Sequence, residues 1–281
     1  TIDTSVVKEI GTLSSQLPSP NKKYIAYLAK ADSPEITVVK LDNPKEVSSV
    51  SIVIPPEMIK HDAVGHVYTI SEWNLASKYL LVKHEYTGGK EYIRINVEDV
   101  ADIVNVSAKL GVALDVAHFS KESVFYGIEN GNLRKIDIGA GTLSEPLVNN
   151  VVDIKLYGSD DIAYVRYHEA RYEVGIVLSN SKPRTVNTYD DTVPLLIDTS
   201  KYFNERYLAI TRGSSFELIK NPEKDAEEGM KKIATMTYPI DLKWLDISSN
   251  GRFVIMGSGA RFATYDIELA ISSESNFPNL L

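Results

Sequence analysis

Along this chain apolar and polar residues alternate with a period of two far more often than with a helical period. Residues 17–42, LPSPNKKYIAYLAKADSPEITVVKLD, show the recurring form: a Ser-Pro-Asn turn, an apolar run, a polar tip and a second alternating run. Period-two alternation, β-branched and aromatic enrichment and Gly/Asn/Asp/Pro punctuation predict strands. Similar turn-then-strand units follow at ASKYLLVKH (76–84), SKESVFYGI (120–128), SDDIAYVRY (159–167), NERYLAITR (204–212) and SSNGRFVIM (248–256). Their first strand residues are Tyr24, Tyr79, Val124, Ile162, Tyr207 and Phe253, at spacings of 38 to 55 positions.

The flanks repeat as well. Upstream strands are predicted in TISEWNL, LDVAHFS, VDIKLYG, PLLIDTS and DLKWLDIS, and downstream strands in EITVVKLD, EYIRINVED, LRKIDIGA, YEVGIVLS, SFELIKN and RFATYDIE. A weaker fourth strand is read in VSSVSIVI, VNVSAKLG, PRTVNTY and KKIATMTY. Four short strands in a unit of this length make the blade of a β-propeller. A lone four-stranded sheet leaves one face wet, whereas sheets packed on two neighbours bury both. The second strands are the most continuously apolar, as expected of central strands. The expectation is an all-β, six-bladed β-propeller in a single domain over residues 1–281, with blades near 1–57, 66–111, 112–150, 151–190, 193–239 and 240–281. Seven blades and a pair of β-sandwich domains are the weaker alternatives. Residues 222–232, PEKDAEEGMKK, have helical composition or form a charged loop.

Composition narrows the function classes. The formal net charge of −8 disfavours generic nucleic-acid binding. With no cysteine there is no disulfide, thiol nucleophile or Cys-ligated zinc. No apolar run reaches the roughly 18 residues that span a bilayer, so no direct membrane insertion of this segment is expected. The chain opens on Thr1 without a signal-peptide pattern, which suggests a mature or trimmed form. No P-loop, GxGxxG or HExxH pattern is present, no cofactor is expected, and Asn130-Gly131 reads as a hairpin turn.

The turn signature of Ser19-Pro20-Asn21-Lys22-Lys23 running into Tyr24-Ile25-Ala26-Tyr27 resembles the repeat of TolB-like, WD40-like six-bladed propellers. Looser copies start at Trp244 and Trp73; the family's Asp-Gly survives only as Asn250-Gly251, and three copies are degenerate. The same repeat occurs in the propeller domains of prolyl-oligopeptidase-like peptidases. Those keep their chemistry in a separate hydrolase domain, and no GxSxG elbow occurs here. The resemblance implies a protein-binding platform, often exported or held at the cell envelope; a cytoplasmic location stays open.

In a propeller, the hairpins between second and third strands share a face with the loops that join blades. These hairpins are AKADSPE, HEYTGGKE, IENGN, YHEARYE, RGSSF and GSGARF; PPEMIKHDAVGH and YDDTVP are joining loops. Three readings of that face compete. One is a solvated polar surface. The second is a protein- or peptide-binding face presenting Tyr86, Tyr167, Arg171, Tyr172 and Tyr189, residue types that dominate interface hot spots. The third is a metal or hydrolytic site using His61, His66, His84 and His168 beside Glu85, Glu169, Asp62, Asp190 and Asp191, as a hydrolase or lyase would. No residue is assigned a catalytic role, and a purely structural domain is a further alternative. His118 is expected to be a hydrogen-bonded structural histidine, Trp73 and Trp244 to pack between blades, and Asp160-Asp161 to favour a turn.

Overall fold

The computed structural model describes residues 15–41, 47–156, 160–179 and 181–276. The turn position Ser159 and the end of the predicted strand at 157–158 lie outside them, as do both termini. Among the described residues the fold is all-β: six four-stranded antiparallel sheets, each of four strands consecutive in sequence, the make-up of a six-bladed β-propeller. The chain divides into two compact units, one ending at Pro146 and one starting at Leu147.

The first unit holds three sheets. The first comprises β1 (Ser15–Pro18), β2 (Tyr24–Leu28), β3 (Glu35–Lys40) and β4 (Ser48–Val53). The second comprises β5 (Val67–Trp73), β6 (Tyr79–Tyr86), β7 (Gly89–Asn96) and β8 (Ile103–Asn105). The third comprises β9 (Val116–Phe119), β10 (Val124–Glu129), β11 (Asn132–Asp137) and β12 (Thr142–Leu143). On β6, Leu80 and Val82 enter one core cluster with Ala26, Ile36 and Ile52 of the first sheet. Tyr79 and Leu81 enter another with Ala117, Phe119 and Phe125 of the third. Alternate residues therefore bury opposite faces, which is why this strand carries no polar side until Lys83. Each such aliphatic side chain contributes about 1.5–3 kcal/mol by leaving water.

The second unit repeats the arrangement. Its sheets are β13 (Val151–Leu156), β14 (Ile162–His168), β15 (Arg171–Val177) and β16 (Arg184–Tyr189); then β17 (Leu195–Tyr202), β18 (Glu205–Arg212), β19 (Ser215–Lys220) and β20 (Lys231–Thr237). The last is β21 (Trp244–Ile247), β22 (Phe253–Ser258), β23 (Arg261–Asp266) and β24 (Ile271–Asn276). On β18, Leu208 and Ile210 join Ala163 and Val165, while Tyr207 and Ala209 join Val254 and Met256.

The repeated turn owes its shape to one hydrogen-bond set. Ser19 Oγ donates to Asn21 Oδ1 (2.8 Å) and accepts from Tyr24 N–H (3.0 Å), while Lys23 N–H donates to Asn21 Oδ1 (2.9 Å). Ser248, Asn250, Arg252 and Phe253 reproduce it at 2.7, 2.9 and 3.1 Å. At the Trp73 copy, Asn74 Oδ1 accepts from Lys78 and Tyr79 N–H. The fourth turn residue is left-handed in all three, with φ of 60° at Lys22, 60° at Ser77 and 75° at Gly251.

One expectation is corrected and one alternative is decided. The predicted fourth strand VNVSAKLG is paired only as far as Asn105; α1 (Val106–Leu110) follows, because the Asn105 side chain accepts from Ala108 N–H as an N-cap and Gly111 at φ 65° closes the helix. Of residues 222–232, read as a helix or a charged loop, 222–229 form turns and Lys231 and Lys232 open β20; the turns are tied to β16 by Arg184, which bonds Glu223 O (2.9 Å) and pairs with Asp225 (2.9 Å). Trp73 packs between sheets as expected: it stacks on Tyr24 at 5.9 Å and donates from Nε1 to Leu17 O. His118 is likewise bonded across sheets, to Glu72 Oε2 at 3.0 Å.

Candidate functional site

The strongest concentration of chemistry lies on the second sheet, under the loop that leads into β5. A two-residue turn, Thr87-Gly88, sets the β6–β7 register so that His84 stands directly opposite Glu91, and Tyr68 of β5 stands opposite His84. One row across the sheet thus carries a phenol, an imidazole and a carboxylate. His84 is fully buried and Glu91 is 7% exposed. Glu91 Oε1 accepts from His84 Nδ1 (2.8 Å) and Lys60 N–H (2.8 Å), and its Oε2 accepts from Asn105 Nδ2 (2.7 Å). Asn105 also donates to Met58 O (2.9 Å). Burial pushes the Glu91 carboxyl up, but the bonds from His84, Lys60 and Asn105 outweigh it and hold the carboxyl below its ordinary range.

His84 Nε2 meets His66 Nδ1 at 2.9 Å. Tyr68 stacks on His84 at 4.3 Å, Tyr86 is tilted against it at 5.3 Å, and His66 is half-buried. The approach of His66 depends on the left-handed Gly65, φ 73°, whose position beside Thr87 leaves only 3.0 Å for a Cβ. Thr87 N–H donates to Val64 O (2.9 Å), fixing the same loop on the β6–β7 turn.

Of the four histidines considered as metal or hydrolytic candidates, His66 and His84 meet. His61 is exposed, and His168 lies in the other unit, bonded to Asn150 at 3.1 Å. Among the described residues no group of three His, Asp or Glu side chains is placed to hold a metal ion. Glu91 and Asn105 escaped the sequence reading. The signal for Glu91 was present: a two-residue turn at Thr87-Gly88 places residues 84 and 91 opposite each other.

The expected aromatic contacts divide. Tyr167 and Tyr172 are cross-strand partners on β14 and β15, with rings 4.7 Å apart, and Tyr167 is 38% exposed. Arg171 beside them is exposed, 3.9 Å from Asp190. Tyr86 is half-buried against His84. Tyr189, expected at the surface, is instead buried: its hydroxyl bonds Glu217 (3.2 Å), its ring lies under Arg212, and Asn187 closes the group. Its strand alternation points inward, where the sequence reading had placed it on a loop.

Comparison with known proteins supports the fold class. No protein-family model and no curated protein matches the chain. Among solved structures it is similar to a prolyl endopeptidase, with a TM-score of 0.59 and 14% identity over 94% of this chain and 42% of that one. This chain therefore spans less than half the length of that peptidase. It is also similar to the uncharacterized protein lmo1340 from Listeria monocytogenes EGD-e, with a TM-score of 0.63 and 12% identity over 95% of this chain and 81% of that one. At these identities the likeness shows a propeller fold.

Proposed function

We propose that this chain is a TolB-like propeller that binds a protein or peptide through the hairpin tips of its sheets, with the β14–β15 tip as the centre of contact. One observation carries the reading: Tyr167 and Tyr172 pair ring to ring across a two-residue hairpin that also carries Arg171, with Tyr167 and Arg171 open to solvent. Tyrosine offers broad amphipathic area at low entropic cost, and arginine adds directional donors. Cross-strand pairing orders both rings before any partner arrives, which lowers the cost of binding. The location we propose, outside the cytoplasm or at the cell surface, rests on the family resemblance of the turn motif.

A photo-crosslinking side chain at position 171, with a control at position 130 on the β10–β11 tip, tests this in extracts of the source cells. The expected result is a discrete adduct at 171, absent at 130. The purified partner should then lose at least tenfold in affinity for a folded Tyr167→Ala/Tyr172→Ala variant. Equal labelling at both positions, or unchanged affinity in the double variant, would sink the reading.

A further inference from the structure

Two imidazole nitrogens, His66 Nδ1 and His84 Nε2, face each other across 2.9 Å. Such a contact holds while one nitrogen carries hydrogen and the other a lone pair. Glu91 Oε1 accepts from His84 Nδ1, so in the neutral ring His84 Nε2 is bare and His66 Nδ1–H donates to it. One added proton is accommodated. On His66 Nε2 it leaves the bond as it stands; on His84 Nε2 it reverses the bond, with His66 carrying its hydrogen on Nε2. A second proton is not accommodated, because both facing nitrogens would then carry hydrogen and both rings a positive charge. His84 is fully buried and held by Glu91, whereas His66 is half-buried at the end of a loop, so His66 is the ring that leaves.

The loop is anchored unevenly along its length. Ile54 N–H bonds Pro34 O, Asn105 bonds Met58 O, Lys60 N–H bonds Glu91, and Met58 and Ile59 pack on the core. Beyond Lys60, among the described residues, the hydrogen bonds from 61–66 to the second sheet are Thr87 N–H to Val64 O and His66 to His84. Val64 itself is exposed. Few charges surround the pair. Glu91 of β7 is the one charged group bonded to either ring; Lys83 and Glu85 of β6 pair with each other at 2.9 Å, and Lys90 of β7 pairs with Asp115 at 3.6 Å. The phenols of Tyr68 and Tyr86 lie against His84, and burial, then Glu91, push Tyr68 up so that it stays neutral. Glu57, Lys60, His61 and Asp62 of the loop, with Lys30 and Asp32 of the β2–β3 hairpin, are exposed. We infer that His66 and His84 form an acid-released latch: closed, the pair carries at most one proton, and the second detaches residues 61–66 from the β6–β7 tip while Lys60 stays bound to Glu91. The open form binds more protons than the closed one, so opening grows as pH falls. Detachment uncovers His84, then an imidazolium paired with Glu91. The latch is independent of the binding role assigned to the β14–β15 tip.

The test is amide hydrogen exchange of the full chain, read by NMR from about pH 8 to about pH 5, where imidazoles charge. Protection is taken relative to the unfolded chain at each pH. Protection of Thr87 N–H should fall on the acid side by up to about tenfold per pH unit, the slope of one added proton. Lys60 N–H, bonded to Glu91, should keep its protection. A His66→Asn variant places an amide where Nδ1 stands, donating in one orientation and accepting in the other, so a protonated His84 still finds a partner. Its Thr87 protection should match the wild type at the alkaline end and lose the acid dependence. If that variant does not fold, imidazole nitrogen-15 shifts of the wild type decide: the second proton should arrive over the interval in which Thr87 loses protection. Flat protection at Thr87, two charged rings with Thr87 still protected, Lys60 opening in step with Thr87, or a folded His66→Asn variant with the wild-type profile would overturn the inference.

Discussion

The β6–β7 and β14–β15 hairpins occupy the same place in their sheets and meet opposite fates. Both have two-residue turns, and in both the pair three positions from the turn sets a base against a glutamate: His84 opposite Glu91, Arg166 opposite Glu173. In the first, residues 54–66 fold over the pair, and Lys60 and His66 are built into it. In the second, the preceding loop reaches the hairpin through Asn150, which bonds Tyr167 N–H and His168. Arg166 holds Glu173 Oε2 at 2.5 and 3.0 Å with water near at hand, and Thr185 completes the set. The covering loop, more than the hairpin, decides whether a polar pair becomes a sealed relay or a surface clasp with aromatic residues turned outward.

Deleting the two glutamates should separate these cases most sharply. Glu91→Leu strands three donors in a dry site, and losses of about 3–5 kcal/mol accompany the breaking of such buried sets. Glu173→Leu leaves Arg166 able to rehydrate, and about 1–2 kcal/mol is expected. Urea melts of both variants check the ratio; equal costs would mean that the loop does not seal the first site. The pH dependence should agree. The Glu91 carboxyl is depressed in the fold, so its contribution is present above the unfolded carboxylate range and is lost as pH falls through the lower, folded value. Wild-type stability should therefore drop below about pH 4, and less so in Glu91→Gln.

Asp198 on β17 sharpens the comparison from the other side. It is a half-buried carboxylate with too few donors: burial raises it to about 6, neighbouring Asp246 adds to the rise, and Lys155 with the N–H groups of Thr199 and Ile247 only partly offsets it. The fold binds its proton more tightly than the unfolded chain does. Stability from this group is thus full below the unfolded carboxylate range and declines as pH rises through about 6. Asp198→Asn should flatten that decline and gain on the order of 2 kcal/mol at pH 8, after allowance for partial exposure. A variant no more stable than wild type at pH 8 would show that the site is better solvated than its position implies.

The sheets were legible because each central strand alternates between two cores, leaving unbroken apolar runs at β6, β14 and β18. Short edge strands were not: β12 pairs two residues, and β8 stops where an asparagine caps a helix, which period-two reading cannot see. Histidines were visible as a type, yet their convergence depended on the path of residues 54–66, and a loop's path is set by tertiary bonds such as Thr87 N–H to Val64 O. Tyr189 was counted with the loop YDDTVP as an exposed contact, whereas it is the last residue of β16 and its ring is buried. Glu91 could have been found by counting across Thr87-Gly88, because two-residue turns fix register.

The smallest effect concerns the turns themselves. The β14–β15 tip is made by Glu169 and Ala170, both left-handed at φ 51° and 63°, where the β6–β7 turn has Thr87 and Gly88. Alanine pays a steric cost there that glycine does not, so Ala170→Gly should stabilise the second unit by about 0.5–1 kcal/mol, reduced somewhat by glycine's greater freedom when unfolded. Because the hairpin already pairs from His168–Arg171 back to Ile162–Val177, the Tyr167–Tyr172 stack should survive, visible as unchanged near-UV circular dichroism. A gain in stability with weaker partner binding would mean that the strained turn aims Arg171; a gain with unchanged binding would leave the rigid aromatic pair as the organising feature of that tip.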